Sequence, residues 1–529
     1  MLLMSGAWFE VIIVALFTGL VLASSYQPSW WFVIKNLCKE ISSNRTTDGR
    51  GRTVKNIPGP YSLPFYGTRW IFSWLGYYDM NKIHDAYKDL NRRYGPMCKE
   101  EGLWNYPIIS IFSREDIEKI IKRNTKYPLR PPQEIISHYR STRQDRYSNL
   151  GLVNEQGETW HKLRSALTPE LTGAKTVLGF FPILNEVTNK FMDLIRSRRI
   201  ECKIDGFEEI AYRMGLESTC TLILGRKLGF LEPGPCTLTS RLAEAVRAHF
   251  IALRDANYGL PLWKLLPTTA YKQLIQSEEA IYNIVSELVD ETSEEQSKCA
   301  QDEDIEAVYK SIMREENLDM RDKKAAIIDF IAAGIHTLGN TLVFLFHMIA
   351  SNPEVQKKLH EEVEFLATPG CDLVVDDLRN AKYLKACINE SFRLLPTAPC
   401  LARILDEPAE LGGYHLESGT VVVLQTWIAG LSDSNFKDAS KCIPERWIDP
   451  PTPHSPLLVT PFGAGRRVCP GKRFVEQALH LILAKFRRIG SSKSRGGSAG
   501  SHYCYPKKKW LLHIKVFTSP LSIQLNCVF

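Results

Sequence analysis

The feature that most constrains this chain lies close to its C-terminal end. The stretch Pro461-Phe-Gly-Ala-Gly-Arg-Arg-Val-Cys-Pro-Gly471 crowds three glycines around one cysteine, Cys469, and from Lys472 it runs into a segment with helical spacing of apolar residues. Glycine adopts backbone angles closed to other residues, so the chain can bend tightly around the thiol. Backbone N–H groups at the start of the following helix favour an anionic sulfur. A cysteinate presented in this way suits the axial position of a heme iron, where it donates electron density that promotes O–O cleavage. The rival is a buried structural cysteine in a glycine-rich turn. Heme needs a deep pocket, and 529 residues with 44% hydrophobic content are enough to enclose one.

The other cysteines give no comparable signal. All thirteen are irregularly spaced and no Cys-x-x-Cys occurs, which argues against a disulfide framework. Twelve of them read as small hydrophobes. Three further segments carry chemistry. Glu390-Ser-Phe-Arg393 sets opposite charges one helical turn apart on one face, and Pro444-Glu-Arg-Trp447 offers a second arginine, Arg446. Trp160-His-Lys-Leu-Arg164 spaces an indole N–H and a guanidinium by four residues, so both donors project to one side, as a bound carboxylate requires. Alone, that last pair is an ordinary amphipathic face.

With the cysteine loop, these segments resemble the cytochrome P450 family of heme-thiolate monooxygenases, over about residues 57 to 486. The resemblance implies a mainly α fold with small β-sheets and a heme b ligated by Cys469. It assigns Trp160, Arg164, Arg403 and Arg467 to the heme propionates and sets Phe462 near the sulfur. Glu390, Arg393 and Arg446 become a structural clamp of the heme-binding core. Oxygen activation falls to Ala333-Gly-Ile-His-Thr337, in which Thr337 helps to relay protons and His336 stands where the family usually has a carboxylate. A histidine with a reference pKa of about 6.5 can take over that relay, or can face outward and take no part. Substrate contacts are expected from residues 131 to 149, from Phe330 and Ala333, and from Thr397 to Leu401.

Within the family, residues 152 to 172 resemble the mitochondrial-type animal branch. Tyr383-Leu-Lys-Ala-Cys-Ile-Asn-Glu-Ser-Phe-Arg-Leu394 and Cys400-Leu-Ala-Arg-Ile-Leu405 are similar to arthropod ecdysteroid hydroxylases. This implies oxidation of ecdysone to 20-hydroxyecdysone in an apolar pocket with a few polar anchors. Another sterol, or a heme-binding protein with catalysis impaired at His336, are the rival readings. The branch also implies electrons from an adrenodoxin-like ferredoxin and its reductase. An acidic ferredoxin would dock on Lys385, Lys472 and Arg473; each of these is otherwise a solvated cation.

The remaining organisation follows from patterning. Residues 1 to 34 hold one charge, Glu10, and an apolar run from Val11 to Leu22 with flanking tryptophans, which reads as a membrane anchor or targeting segment. Residues 35 to 60 carry six basic and two acidic residues and close on Ile57-Pro-Gly-Pro60, a basic and proline-rich hinge. Residues 61 to 529 form the heme domain, with apolar residues at helical spacing from Ala325 to Ile349 and strand-like patches at Ile108–Phe112 and Gly413–Val423, the latter a hairpin around Ser418-Gly419. The branch favours the mitochondrial inner membrane, and the apolar start gives the endoplasmic reticulum membrane as the alternative. The net charge of +7 is not a nucleic-acid signal: nine basic and no acidic residues lie from Gln477 to Phe529, which leaves 57 basic against 59 acidic residues before them. Part of that tail, about residues 487 to 515, is atypical for the family.

Overall fold

The helical periodicities resolve into a mainly helical body with small sheets. The computed structural model describes residues 52–488 apart from 65, 74–75, 103–104, 201–202, 205, 235, 259–261, 265, 299–307, 367–371 and 449–455. The expected membrane segment at 1–34, the hinge up to residue 51 and the atypical stretch from 489 onward lie outside the described residues. The helices that position the site are α1 (Glu134–Thr142), α2 (Gly157–Leu167), α3 (Phe207–Leu224), α4 (Thr237–Tyr258), α5 (Thr269–Lys298), α6 (Met320–Ser351), α7 (Lys382–Leu394) and α8 (Lys472–Arg488).

Two of these lack a polar stripe, and they form the centre. Nearly every residue of α3 is buried, as are most of those of α6 from Ala325 onward, the pattern of helices enclosed on all sides. They cross at close range because glycines stand at the contact: a Cβ on Gly215 would sit 2.6 Å from the Ile335 carbonyl oxygen, and one on Gly339 would overlap the Tyr212 ring. Among the described residues, α6 is the one helix long and apolar enough to cross a membrane. Its packing in the main core accounts for that character. Around this centre, α4 and α5 pack on one side, while α7 and α8 pack on another.

A four-stranded sheet lies apart, built from β1 (Met97–Glu101), β2 (Pro107–Ile111), β3 (Leu401–Ile404) and β4 (Val421–Leu424) in the order β1-β2-β4-β3. The strand expected at Ile108–Phe112 is β2. The hairpin expected around Ser418-Gly419 does not form. Tyr414–Leu416 pairs with Ala409–Leu411 across Gly412 and Gly413, whereas β4 pairs with β2 and β3. Both of those glycines have positive φ, 54° and 77°, as a two-residue turn matched to strand twist requires. The tight turn therefore falls at the Gly-Gly pair, and Ser418-Gly419 is a link between sheets.

Candidate active site

The cysteine loop takes the shape that its glycines allow. Gly463 and Gly465 stand at φ 75° and 67°, and a single 3-10 turn, Gly465–Arg467, brings the chain round. The Cys469 N–H donates to the Phe462 carbonyl at 2.8 Å, and Phe462 meets Phe392 edge-on at 5.5 Å. Burial pushes the Cys469 thiol up. Hydrogen bonds from the N–H groups of Gly471 and Lys472, together with Arg164, oppose that shift by favouring the thiolate. Those two N–H groups lie at the start of α8, so the sulfur sits where the sequence pattern puts an anion.

Next to this loop the structure gathers cations. The Arg164 Nη2 donates to the Val468 carbonyl at 2.8 Å, and the Arg403 Nη2 to the Ala464 carbonyl at 3.1 Å. Arg467 donates to the carbonyls of Pro128 and Glu155 at 3.0 and 2.8 Å, and its guanidinium carbon lies 4.0 Å from the centroid of the buried Trp160 ring. A fourth member, Arg130, is half-buried, and desolvation lowers its pKa. Burial, with Arg130, Arg403 and Arg164 nearby, pushes Arg467 down to about 9. Burial and Arg130 bring Arg403 to about 10. No ion pair of Arg130, Arg164, Arg403 or Arg467 with a carboxylate occurs among the described residues. Sequence reasoning missed Arg130; its one signal is the stretch Pro128-Leu-Arg-Pro-Pro132, whose prolines fix an extended path beside the cysteine loop.

The clamp is the opposite case. Glu390 accepts from Arg393 at 2.7 and 2.9 Å, from Arg446 Nε at 3.2 Å, from the Trp447 indole at 2.8 Å and from the Ile443 N–H at 2.9 Å. The spare donors of Arg393 reach the carbonyls of Gly430, Ala439 and Lys441. All three charged side chains are buried. Trp447 had no role in the sequence reading, although it closes the motif that supplies Arg446.

Helix α6 supplies an open groove in an otherwise buried element. Ala333 is exposed and Thr337 half-buried, between the fully buried Ile331, Ile335 and Leu338. The Thr337 hydroxyl donates to the Ala333 carbonyl at 2.6 Å, a back-bond that bends helices locally. Phe330 is partly buried one turn before. The Thr341 hydroxyl shares a hydrogen bond of 2.9 Å with Thr397, which ties α6 to the segment leading into β3, where Leu401 is half-buried near Gly463.

His336 does not join Thr337 at this groove. It is 1% exposed, stacked on Tyr212 at 5.2 Å, tilted against Phe250 at 5.5 Å, and its Nδ1 meets the Asn340 amide at 2.9 Å. Burial, then Arg247 and His249, depress it to about 4, so the ring is neutral at physiological pH. The expectation that His336 replaces the relay carboxylate is corrected on those grounds, since a ring packed between aromatics carries no proton to the groove.

Lys472 and Arg473 are exposed at the start of α8, and Lys472 lies 3.9 Å from Glu476. The Lys385 ammonium donates to the Arg379 carbonyl at 2.6 Å. Its charge, after burial, helps to depress His480 of α8 to about 4, which places Lys385 near the middle of α8, two turns from Lys472 and Arg473.

The site thus brings together a thiol facing helix-start N–H groups, half-buried arginines with no carboxylate partner among the described residues, and an open stretch of a core helix. The cytochrome P450 family model matches residues 57–488, and the chain belongs to that family. It is a monooxygenase. The chain is 47% identical over 452 residues to ecdysone 20-monooxygenase of Drosophila melanogaster, covering 82% of this chain and 83% of that one. It is 31% identical to cytochrome P450 302a1, mitochondrial, of the same organism, with 82% and 88% covered. It is 28% identical to the mouse 1,25-dihydroxyvitamin D(3) 24-hydroxylase, mitochondrial, with 83% and 84% covered. The family implies heme on a cysteine thiolate. The residues present fit it: the acid-free arginines match two propionates, and exposed Ala333 leaves room over the groove.

Proposed function

We propose that this chain hydroxylates an ecdysteroid, converting ecdysone to 20-hydroxyecdysone. One atom of O2 enters a C–H bond and the other leaves as water, with two electrons passing from NADPH through a reductase and a ferredoxin. The observation that carries the site assignment is the arginine cluster around the Cys469 loop, four half-buried cations with no carboxylate partner among the described residues, which favours a bound anion. The substrate assignment rests on the likeness to the Drosophila enzyme.

In this reading Cys469 is the thiolate ligand. Arg130, Arg164, Arg403 and Arg467 hold the propionates, and Trp160 supports Arg467. Heme supplies the oxidising chemistry when bound. The chain's own part is to keep the sulfur anionic and to move a proton at Thr337 Oγ1, which leaves its bond to the Ala333 carbonyl to do so. Phe330, Ala333, Thr397 and Leu401 shape an apolar pocket, where the Thr341–Thr397 pair offers hydroxyls to a polyhydroxylated steroid. Lys385, Lys472 and Arg473 steer an acidic ferredoxin. That partner and the relatives named mitochondrial favour the mitochondrial inner membrane over the endoplasmic reticulum.

Turnover of a small ecdysteroid panel with ferredoxin and reductase tests this. Hydroxylation of ecdysone is expected, and Cys469→Ser should abolish both product and the thiolate spectrum of the CO-bound ferrous form. Oxidation of a different sterol with ecdysone untouched would sink the substrate assignment. A normal thiolate spectrum with no product under any reductant would leave only cofactor binding.

A further inference from the structure

Asp329 of α6 lies one turn before Ala333 and two before Thr337. It receives a fork from Arg140 of α1, with Nη2–Oδ1 at 2.6 Å and Nη1–Oδ2 at 3.0 Å. Arg140 is only 7% exposed, and its guanidinium carbon lies 4.7 Å from the Tyr147 ring centroid. Gly151 stands at φ 81°, and a Cβ there would overlap Arg140 Nη1, so the chain is shaped around the guanidinium. The same Nη1 reaches the Leu150 carbonyl at 3.4 Å. Five residues on, the carbonyl of Glu155 accepts from Arg467 of the cysteine loop at 2.8 Å, and the Leu152 carbonyl lies 3.4 Å from that arginine. The Leu150 N–H donates to the Glu155 carboxylate at 2.8 Å, closing the short stretch on itself. One run of polar contacts therefore links the cysteine loop, residues 150–156, Arg140 and α6. The outer edge of the segment is held separately: Arg143, Arg146 and Tyr139 meet Glu279 of α5.

We propose that Arg140 and Asp329 are a positioning pair for the oxidation, fixing the groove at Ala333 and Thr337 at a set spacing from the cysteine loop through residues 150–156. A forked guanidinium–carboxylate pair fixes distance and angle together, which a sliding apolar contact does not. With Arg140 buried and Asp329 partly open to solvent, such a pair adds little net stability, so its geometry is the reason to keep it. The pair touches neither of the reacting atoms and acts through the backbone it holds. The activity readouts rest on the monooxygenase function proposed above; the structural readout does not.

The test uses the full chain carrying Arg140→Lys, which keeps the buried charge but loses the fork, and Asp329→Asn beside it. In Arg140→Lys, amide hydrogen exchange is expected to quicken about tenfold or more in residues 150–156 and also in 329–337, with and without heme. With the steroid that shifts the wild-type spin state, binding should weaken about tenfold and product per NADPH should fall about threefold or more, since small misplacements of reacting groups cost rate steeply. The thiolate spectrum should stay. Glu279→Gln, which loosens only the outer edge, should keep the wild-type product per NADPH. Unchanged exchange in either stretch would overturn the proposal whichever steroid is the substrate. So would a lower melting temperature with an unchanged product ratio, the mark of a merely structural pair. If Asp329→Asn does not fold, Arg140→Lys decides alone. Failure of ecdysone as substrate would strike the proposed function and leave the exchange result standing.

Discussion

Two groups of arginines, one buried and one half-buried, differ in what surrounds them. Arg393 and Arg446 are closed around Glu390, with five donors converging on one carboxylate and the spare guanidinium donors spent on carbonyls. Arg130, Arg164, Arg403 and Arg467 have carbonyl and aromatic neighbours, and mutual repulsion adds to burial in depressing Arg403 and Arg467. The first group is complete in the polypeptide alone. The second has no carboxylate among the described residues, so the same residue type serves a scaffold in one place and, in the function proposed above, a binding site in another. Taking a charge out of water is costly unless it is paired, and the presence or absence of a carboxylate partner separates the two groups.

Breaking the complete group should have the largest effect. Glu390→Gln leaves two buried guanidinium groups without their counter-charge, and a loss of about 3–5 kcal/mol is expected. Chemical denaturation should report that loss equally with and without heme, because the clamp does not depend on the cofactor. The incomplete group should behave otherwise. Arg403→Ala removes a cation that burial and Arg130 disfavour and gives up only hydrogen bonds to the Ala402 and Ala464 carbonyls, so the heme-free protein should change by about 1 kcal/mol. Hemin affinity should fall by about ten- to a hundredfold, the usual effect of losing a supporting partner at a metal site. Equal destabilisation of both forms by Arg403→Ala would place it with the clamp and break the contrast.

His336 sharpens the comparison from a third side, as a buried group that avoids charge altogether. Its pKa of about 4 in the folded protein lies below the 6.5 of the free side chain. The unfolded chain therefore binds a proton first as pH falls, and stability drains from about pH 6.5 down to about 4, by up to about 3 kcal/mol. At neutral pH both states are unprotonated and the effect is absent. His336→Phe should flatten the acid limb of the stability curve and leave turnover between pH 6.5 and 8 with its wild-type pH dependence. A new dependence of turnover on pH in that variant would restore the histidine to the proton relay.

How far the sequence alone reached follows the same division. Cys469, Glu390, Arg393, Arg164 and Arg467 were legible because each sits in a short motif whose spacing already encodes its geometry: a turn, one helical face, one pair of donors. The mainly helical fold followed from apolar periodicity, and the long α6 was visible as Ala325 to Ile349. What was not legible depends on contacts between distant segments. Arg130 has no motif of its own and gains meaning only when Pro128 meets Arg467. The strand after Gly419 was misread because alternation gives a strand but not its partner; β4 joins β2, some 300 residues earlier, rather than its neighbour. His336 was open to two readings because position along a helix leaves the facing element undecided, and Tyr212 of α3 settles it. The Arg140–Asp329 fork, joining residues 189 apart, left no trace in local pattern.

The smallest effect belongs to the exposed cations, which neither scaffold nor cofactor uses. Lys472 and Arg473 stand in solvent at the start of α8, where single charges add at most about 1 kcal/mol to stability. Lys472→Glu with Arg473→Glu should therefore leave melting and the thiolate spectrum at wild-type values. In the function proposed above their influence is on encounter: opposite charge raises association rates, and salt screens it with a Debye length of about 8 Å at physiological ionic strength. The apparent KM for an acidic ferredoxin should rise several-fold at low salt, and the gap from wild type should close as salt is added. The half-buried arginines around the Cys469 loop should show a smaller closing gap in hemin affinity. A ferredoxin KM indifferent to both substitutions at low salt would move the docking site away from α8, leaving the helix start with its one remaining role of offering N–H groups to the Cys469 sulfur.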